Sequence, residues 1–352
     1  MNLSEPRKIA LNRERCRLRG GLKELRVLQI GLGAIGLEIA KLASKKSGLR
    51  VVGASDLLRH VGEDLGAILG SGAMGVKVVS DYREALKESK PDLILHATSS
   101  YLQDVYEQIV DCVKEGANII STCEELAYPF YKHPELAKNL DHLAKKNRVR
   151  ILGTGINPGF LMDTLVTLLT TVCQEVKSIV VERVIDASQR REAFQRKIGV
   201  ALTEEEFISK IEGKEISGHV GLEESLAMIC DTLGWRLQRI KAGQPEPIIA
   251  SKQVSSPYYN VPAGRVAGLR QIAKGYVDGE ARITLLFKAY IGAEEEYDHI
   301  HIIGTPEVNQ IIKPAIQGDK ATAAVVVNAI WPLLKSKPGL KTMRDLQPLS
   351  YK

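Results

Sequence analysis

The residues of this chain whose types and spacing could do chemistry begin with three glycines. Gly31, Gly33 and Gly36, in the run Gly31-Leu32-Gly33-Ala34-Ile35-Gly36, have the G-x-G-x-x-G spacing. Such a triplet makes a tight turn, lets backbone approach a pyrophosphate and packs a helix closely on a strand. Asp56 follows about twenty residues past the last glycine, where a carboxylate bonds the hydroxyls of an adenosine ribose. Together these residues point to a nicotinamide dinucleotide, with NAD preferred because Asp56 repels a 2′-phosphate. Arg59 lies close enough in sequence to pair with such a phosphate, which keeps NADP as the alternative. Further along, Thr98-Ser99, Thr122-Cys123, the adjacent acids Glu124 and Glu125, and Asn157 each follow a short apolar run. The guanidinium pair Arg190-Arg191 could hold a carboxylate bidentately; its ordinary alternative is a solvated surface pair.

The elements that must position these residues read as alternating strands and helices. Val27-Leu28-Gln29-Ile30 is a short apolar run of the kind that forms a buried parallel strand. An apolar-periodic helix follows the glycines, and its N-terminus offers free N–H groups and a positive dipole end to phosphates. Strands are expected at Leu49–Ala54, Val76–Val79, Leu93–Thr98, Asn118–Thr122 and Val149–Gly153, with helices between them, one of them capped by Asp81. This alternation implies an α/β fold, a Rossmann-type doubly wound parallel sheet that binds ligands beyond the carboxyl ends of its strands. Past Gly159 the pattern changes. A long apolar helix is expected at Phe160–Val172, and a half-exposed antiparallel strand at Ser178–Asp186. Further strands are expected at Ile248–Val254, Arg282–Ala289 and His299–Ile303, with helices near Glu204–Glu212 and Leu222–Leu233. A second, α+β domain follows. The apolar helix Lys320–Leu334 is expected to return to the nucleotide domain. The division is a basic arm at 1–25, a dinucleotide-binding domain at 26–157 with 318–352 packing back on it, and a second domain at 158–317.

Composition excludes several classes. The chain has 352 residues, 44% hydrophobic and 26% charged, which is ordinary for a globular protein with a substantial core. No apolar run approaches the ~20 residues of a membrane span. The formal net charge is +6, but residues 1–25 carry seven basic against three acidic side chains. The body is thus close to neutral and offers no nucleic-acid surface. The three glutamates of the arm and its lack of an apolar core read as a solvated extension rather than a targeting leader. Five scattered cysteines (Cys16, Cys112, Cys123, Cys173 and Cys230), without C-x-x-C spacing, point to a reducing, cytoplasmic setting and to neither disulfides nor zinc. The seven histidines form no ligand pair at helical spacing, so no metal is expected.

Four long motifs carry a resemblance: Asn118–Pro129 (NIISTCEELAYP), Ile151–Asp163 (ILGTGINPGFLMD), Glu182–Gly199 (ERVIDASQRREAFQRKIG) and Gly318–Ile330 (GDKATAAVVVNAI). With GLGAIG they resemble the 2,4-diaminopentanoate dehydrogenase and native amine dehydrogenase family over most of the chain after residue 25. The wider group includes dihydrodipicolinate reductase, whose paired-histidine and lysine signature and DAPSGTA-like run are absent here. The resemblance implies NAD(P)-dependent oxidative deamination of 2,4-diaminopentanoate or a similar amino acid, and the reverse reductive amination with ammonia. Hydride leaves a carbon bearing a neutral amine but not an ammonium, so a base must stand beside the nicotinamide. The family's catalytic glutamate matches the Glu124-Glu125 motif. Adjacent side chains diverge, so one of the two faces the substrate, with Glu125 favoured and Glu124 in reserve; the alternative is that both favour the next helix N-terminus. Asn157 resembles the family's cofactor- and substrate-contacting asparagine, its alternative being a turn residue before Pro158. Arg183 and His219 fall where amine dehydrogenases line the substrate pocket. A homodimer through the second domain is also implied. Three other readings compete: an amine dehydrogenase for simple ketones and amines, a dihydrodipicolinate reductase-like reductase, and a cofactor-binding sensor without turnover.

Overall fold

The computed structural model describes residues 24–351, so most of the basic arm lies outside the described residues. Six strands alternate with helices first: β1 (Leu25–Ile30), β2 (Leu49–Ser55), β3 (Val78–Val79), β4 (Leu93–His96), β5 (Asn118–Ser121) and β6 (Arg150–Gly153). Nine more follow: β7 (Glu175–Asp186), β8 (Arg239–Ala242), β9 (Glu246–Ile249), β10 (Val254–Ser255), β11 (Asn260–Val261), β12 (Val266–Val277), β13 (Glu280–Tyr290), β14 (Tyr297–Thr305) and β15 (Val308–Ile312). A last strand, β16 (Gly339–Lys341), returns to the first sheet, whose order is β16-β6-β5-β4-β1-β2-β3. Every pairing in that sheet is parallel. Its strands are apolar on both faces because helices cover both. Val27, Leu93, Leu95, Ile120 and Leu152 pack on one side with the Ala34–Ser44 helix. Their neighbours Leu28, Ile94, Ile119 and Ile151 pack on the other, against helices Leu102–Lys114 and Pro134–Lys146. Each fully buried aliphatic side chain contributes about 1.5–3 kcal/mol. The sheet is the doubly wound one that the alternation of elements implies.

The second sheet is mixed, in the order β15-β14-β7-β13-β12-β8 with β9 also on β12. The expected antiparallel strand at Ser178–Asp186 is longer and central. β7 is antiparallel to β14 but parallel to β13. The expected helix Phe160–Val172 starts late, at Thr164, because the Asp163 carboxylate caps it by accepting the N–H of Thr164 (2.5 Å) and also holds the N–H of Gly159 (2.7 Å). The terminal helix breaks into Gly318–Asn328 and Ile330–Lys335. Pro332 has no N–H to give the carbonyl of Asn328, which ends the first segment. Both segments pack on the first sheet through Ala323, Val326, Val327, Ile330 and Leu333. Among the described residues, no helix is long and apolar enough to cross a membrane.

Candidate active site

A cleft of about 380 Å³ runs from the glycine loop, past the ends of β4, β5 and β6, to β7, β13 and the Glu192–Lys197 helix. At the loop, Gly31 has φ +87°, and a Cβ there would strike the carbonyl of Ala97. A Cβ on Gly36 would strike the carbonyl of Gly31, so this glycine is needed for the helix to sit on the strand. Gly33 differs. A Cβ there would meet only an Arg59 guanidinium nitrogen, at 3.7 Å, so its face is open. No side chain caps the Ala34–Ser44 helix that starts beside it. An open glycine at an uncapped helix N-terminus fits a pyrophosphate. Asp56 accepts the N–H groups of Leu32 (2.7 Å), Arg59 (2.8 Å) and Leu58 (3.1 Å). A carboxylate has about four acceptor sites, so capacity for a ribose hydroxyl remains. Burial alone would raise its pKa, but these three N–H groups and the Arg59 charge hold it below the usual value. Ala34, Ile35, Thr98, Ser99, Thr122 and Cys123 all line the cleft. Burial pushes the Cys123 thiol well up, so it is no nucleophile.

Glu124 and Glu125 open a 3₁₀ turn, Glu124–Ala127, directly after β5. With three residues per turn, neighbouring side chains point about 120° apart. Glu124 is in the cleft wall. Its carboxyl is lifted above the ordinary range by burial, opposed by the Lys197 charge and the Ser100 hydroxyl. Glu125, the favoured one of the pair, is turned away. It is 5% exposed and accepts the N–H of Leu102 at 2.9 Å, at the start of the Leu102–Lys114 helix. His133 Nε2 lies 2.9 Å from the same oxygen and Lys132 Nζ 3.3 Å from the other. Lys132 also reaches Glu223 (3.1 Å) and the buried Glu224 (3.7 Å) of the Leu222–Thr232 helix. The strand ends beneath are tied as well. The buried His96 ring lies between Ser121 Oγ (2.8 Å) and Gln108 Oε1 (2.9 Å), and Ser121 Oγ accepts the N–H of Cys123 (3.1 Å).

Beyond the end of β6, the Asn157 amide donates to His219 Nε2 (2.9 Å) and lies 3.0 Å from Met162 Sδ. Its Oδ1 is buried without a partner. His219 stacks on Phe287 with ring centroids 4.5 Å apart. Burial, with the charges of Lys197 and Arg183, pushes the histidine down to about 3, so the ring is neutral and accepts the amide hydrogen. Arg183 is 2% exposed, pairs with the Asp298 carboxylate and donates to the carbonyl of Ile316 (2.6 Å). Its charge is thus already answered within the protein. The Arg190-Arg191 pair shares a single carboxylate. Asp319, at the start of the Gly318–Asn328 helix, accepts from Arg190 (2.9 Å) and lies 3.5 Å from Arg191 Nε. Arg190 lies over the Phe194 ring at 4.5 Å, and its Nε is buried without a partner. The free fork that the sequence expects for a carboxylate is occupied by Asp319.

Sequence reasoning passed over Lys197, Asp319, Thr322 and Phe287, which also line the cleft. Lys197 and Asp319 lay inside quoted motifs, but nothing in their spacing placed them opposite Glu124 and Arg190. Among the described residues, no group of three or more His, Cys, Asp or Glu side chains is arranged to hold a metal ion.

Comparison with known proteins adds identity to this geometry. Residues 160–350 match the model of the 2,4-diaminopentanoate dehydrogenase C-terminal domain. Residues 25–155 match the oxidoreductase family with an NAD-binding Rossmann fold, so the dinucleotide is NAD(H). The chain is 36% identical over 331 residues to 2,4-diaminopentanoate dehydrogenase of Acetoanaerobium sticklandii, covering 92% of this chain and 94% of that one. An amine dehydrogenase structure from Mycobacterium smegmatis superposes with a TM-score of 0.83 at 25% identity, covering 93% of this chain and 97% of the other. The myo-inositol 2-dehydrogenase of Lactobacillus plantarum, at 14% identity and TM-score 0.56 over 92% and 93% of the two chains, shares the fold alone.

Proposed function

This chain belongs to the 2,4-diaminopentanoate dehydrogenase family, and on that premise we propose that it oxidatively deaminates C4 of 2,4-diaminopentanoate or a close analogue. The balanced reaction takes amino acid, NAD⁺ and water to the 4-keto acid, ammonium, NADH and a proton; reductive amination by ammonia is its reverse. The nicotinamide, when bound, supplies the two-electron acceptor. Gly33 and the open helix N-terminus receive the pyrophosphate, and Asp56 receives the adenosine ribose with NAD favoured over NADP. Thr98, Ser99, Thr122 and Cys123 line the cleft that also holds Gly33 and Glu124.

Glu124 takes the proton from the C4 ammonium and frees the lone pair that drives hydride departure. Its raised pKa brings a carboxylate nearer to the amine it must deprotonate, which is the usual direction of tuning for such a base. The same carboxylate can then pass protons for water addition to the iminium. Asn157 turns its orphaned Oδ1 to the substrate nitrogen, whose N–H groups are donors of the kind a buried acceptor lacks. Neutral His219 fixes that amide by accepting its hydrogen. In this reading residues 26–157, with 318–352 packed back on them, bind the cofactor and residues 158–317 form the other wall. Ile303 and Ile311, exposed on β14 and β15, offer apolar surface for a homodimer contact. The scattered cysteines of the sequence, without C-x-x-C spacing, support a cytoplasmic setting.

The observation that carries the proposal is that Glu124, and not Glu125, lines the cleft that Asn157 also lines. Glu124→Gln should bind NADH as the unmodified protein does and lose about 10²–10⁴-fold in turnover. Near-normal turnover in that variant would remove Glu124 from the role.

A further inference from the structure

The charges in the cleft do not cancel. Arg183 is matched by Asp298, and Arg190 and Arg191 share Asp319. Lys197, at the end of the Glu192–Lys197 helix, is exposed, lines the cleft, and has no ion-pair partner among the described residues. It lines the same cleft as Glu124 and His219, and its charge acts on both. An ammonium on four methylenes can move to meet an anion, whereas the three guanidiniums already lie on two carboxylates, Asp298 and Asp319.

We infer that Lys197 receives the carboxylate of the amino acid substrate and thereby selects amino acids over simple amines at this site. This rests on the deamination reading above and replaces the arginine pair as the carboxylate receptor. The carboxylate carbon of 2,4-diaminopentanoate is three carbon–carbon bonds of about 1.5 Å from C4. With Lys197 on the carboxylate and Glu124 on the C4 nitrogen, the molecule spans the two side chains, and C4 rather than C2 meets the nicotinamide. Lysine supplies charge without fixed geometry, so the site should accept amino acids of slightly different length.

The test uses a matched pair of substrates, 2,4-diaminopentanoate and butane-1,3-diamine, which is the same skeleton without its carboxylate. The readout is the ratio of their kcat/KM values, in which any shared effect of Lys197 on Glu124 cancels. Lys197→Met should lower that ratio about ten- to hundredfold, chiefly through KM for the amino acid, and Lys197→Arg should retain most of it. NADH affinity, read by fluorescence titration, should be unaltered in both variants. An unchanged ratio in Lys197→Met overturns the inference while leaving the deamination reading in place. A fall in NADH affinity in step with the ratio also overturns it, because the lysine then answers a cofactor phosphate. If the unmodified protein turns over neither substrate with NAD or NADP, the deamination reading falls and the inference falls with it.

Discussion

Changing Glu125 to glutamine should cost stability rather than chemistry. The carboxylate is buried and holds three partners: the Leu102 N–H at 2.9 Å, His133 at 2.9 Å and Lys132 at 3.3 Å. An amide keeps one oxygen for the Leu102 N–H and His133, but it sets an NH₂ donor against the Lys132 ammonium, itself a donor. Hydrogen bonds to a charged group are worth about 1.5–3 kcal/mol, and breaking a buried ion pair costs about 3–5 kcal/mol. Lys132 still has Glu223 and Glu224 within 4 Å, so it is not stranded, and the loss should lie near the low end, at about 2–4 kcal/mol. At about 2 °C per kcal/mol for a chain of this size, Tm should fall by about 4–8 °C. The assay pairs thermal unfolding with steady-state turnover at a temperature where the variant stays folded. Turnover should remain within about tenfold, since loss of a general base costs about 10²–10⁴-fold. A loss of that larger size with Tm unchanged would refute the reasoning and return the base to Glu125.

Asp56→Asn should narrow the preference for NAD over NADP, measured as the ratio of kcat/KM values; an unaltered ratio would mean that the carboxylate serves only the Leu32, Leu58 and Arg59 N–H groups. Burial, opposed by Lys132, pushes Glu224 up to about 7 from its ordinary 4.5. Between those values the folded protein holds a proton that the unfolded chain has released, so stability falls as pH rises through the window. Glu224→Gln should therefore raise Tm at about pH 8 more than at about pH 5, and equal shifts at both would contradict this. Arg183→Met leaves Asp298 buried with only the Ile316 N–H, and should cost about 3–5 kcal/mol in urea unfolding; a loss under about 1 kcal/mol would show the pair to be dispensable.

Much of this was legible from residue order. The glycine triplet, Asp56 and the strand ends after them depend on local spacing within βα units, which sequence displays directly. The four long motifs carried the family resemblance that the matches to relatives show. The choice between Glu124 and Glu125 was not legible, because it depends on the phase of a short 3₁₀ turn and on Lys132 and His133 arriving from the next helices. The acids that hold the cleft's arginines were hidden for a related reason, although Arg183, Arg190 and Arg191 do line the cleft. Asp298 and Asp319 lie more than a hundred residues away in sequence and meet Arg183 and Arg190 only in the folded chain. The strand β12 went unread because Gly268, Arg270, Lys274 and Gly275 interrupt its apolar pattern, yet it pairs with β13 along nearly its whole length.

The most direct measurement is the release of ammonium and NADH from 2,4-diaminopentanoate and NAD⁺ by the purified protein, followed together in one reaction. Equal amounts of both are expected, each formed about 10²–10⁴-fold more slowly by Glu124→Gln. NADH formed without ammonium would contradict deamination at C4. Tight NADH binding with neither product from this substrate would contradict it as plainly.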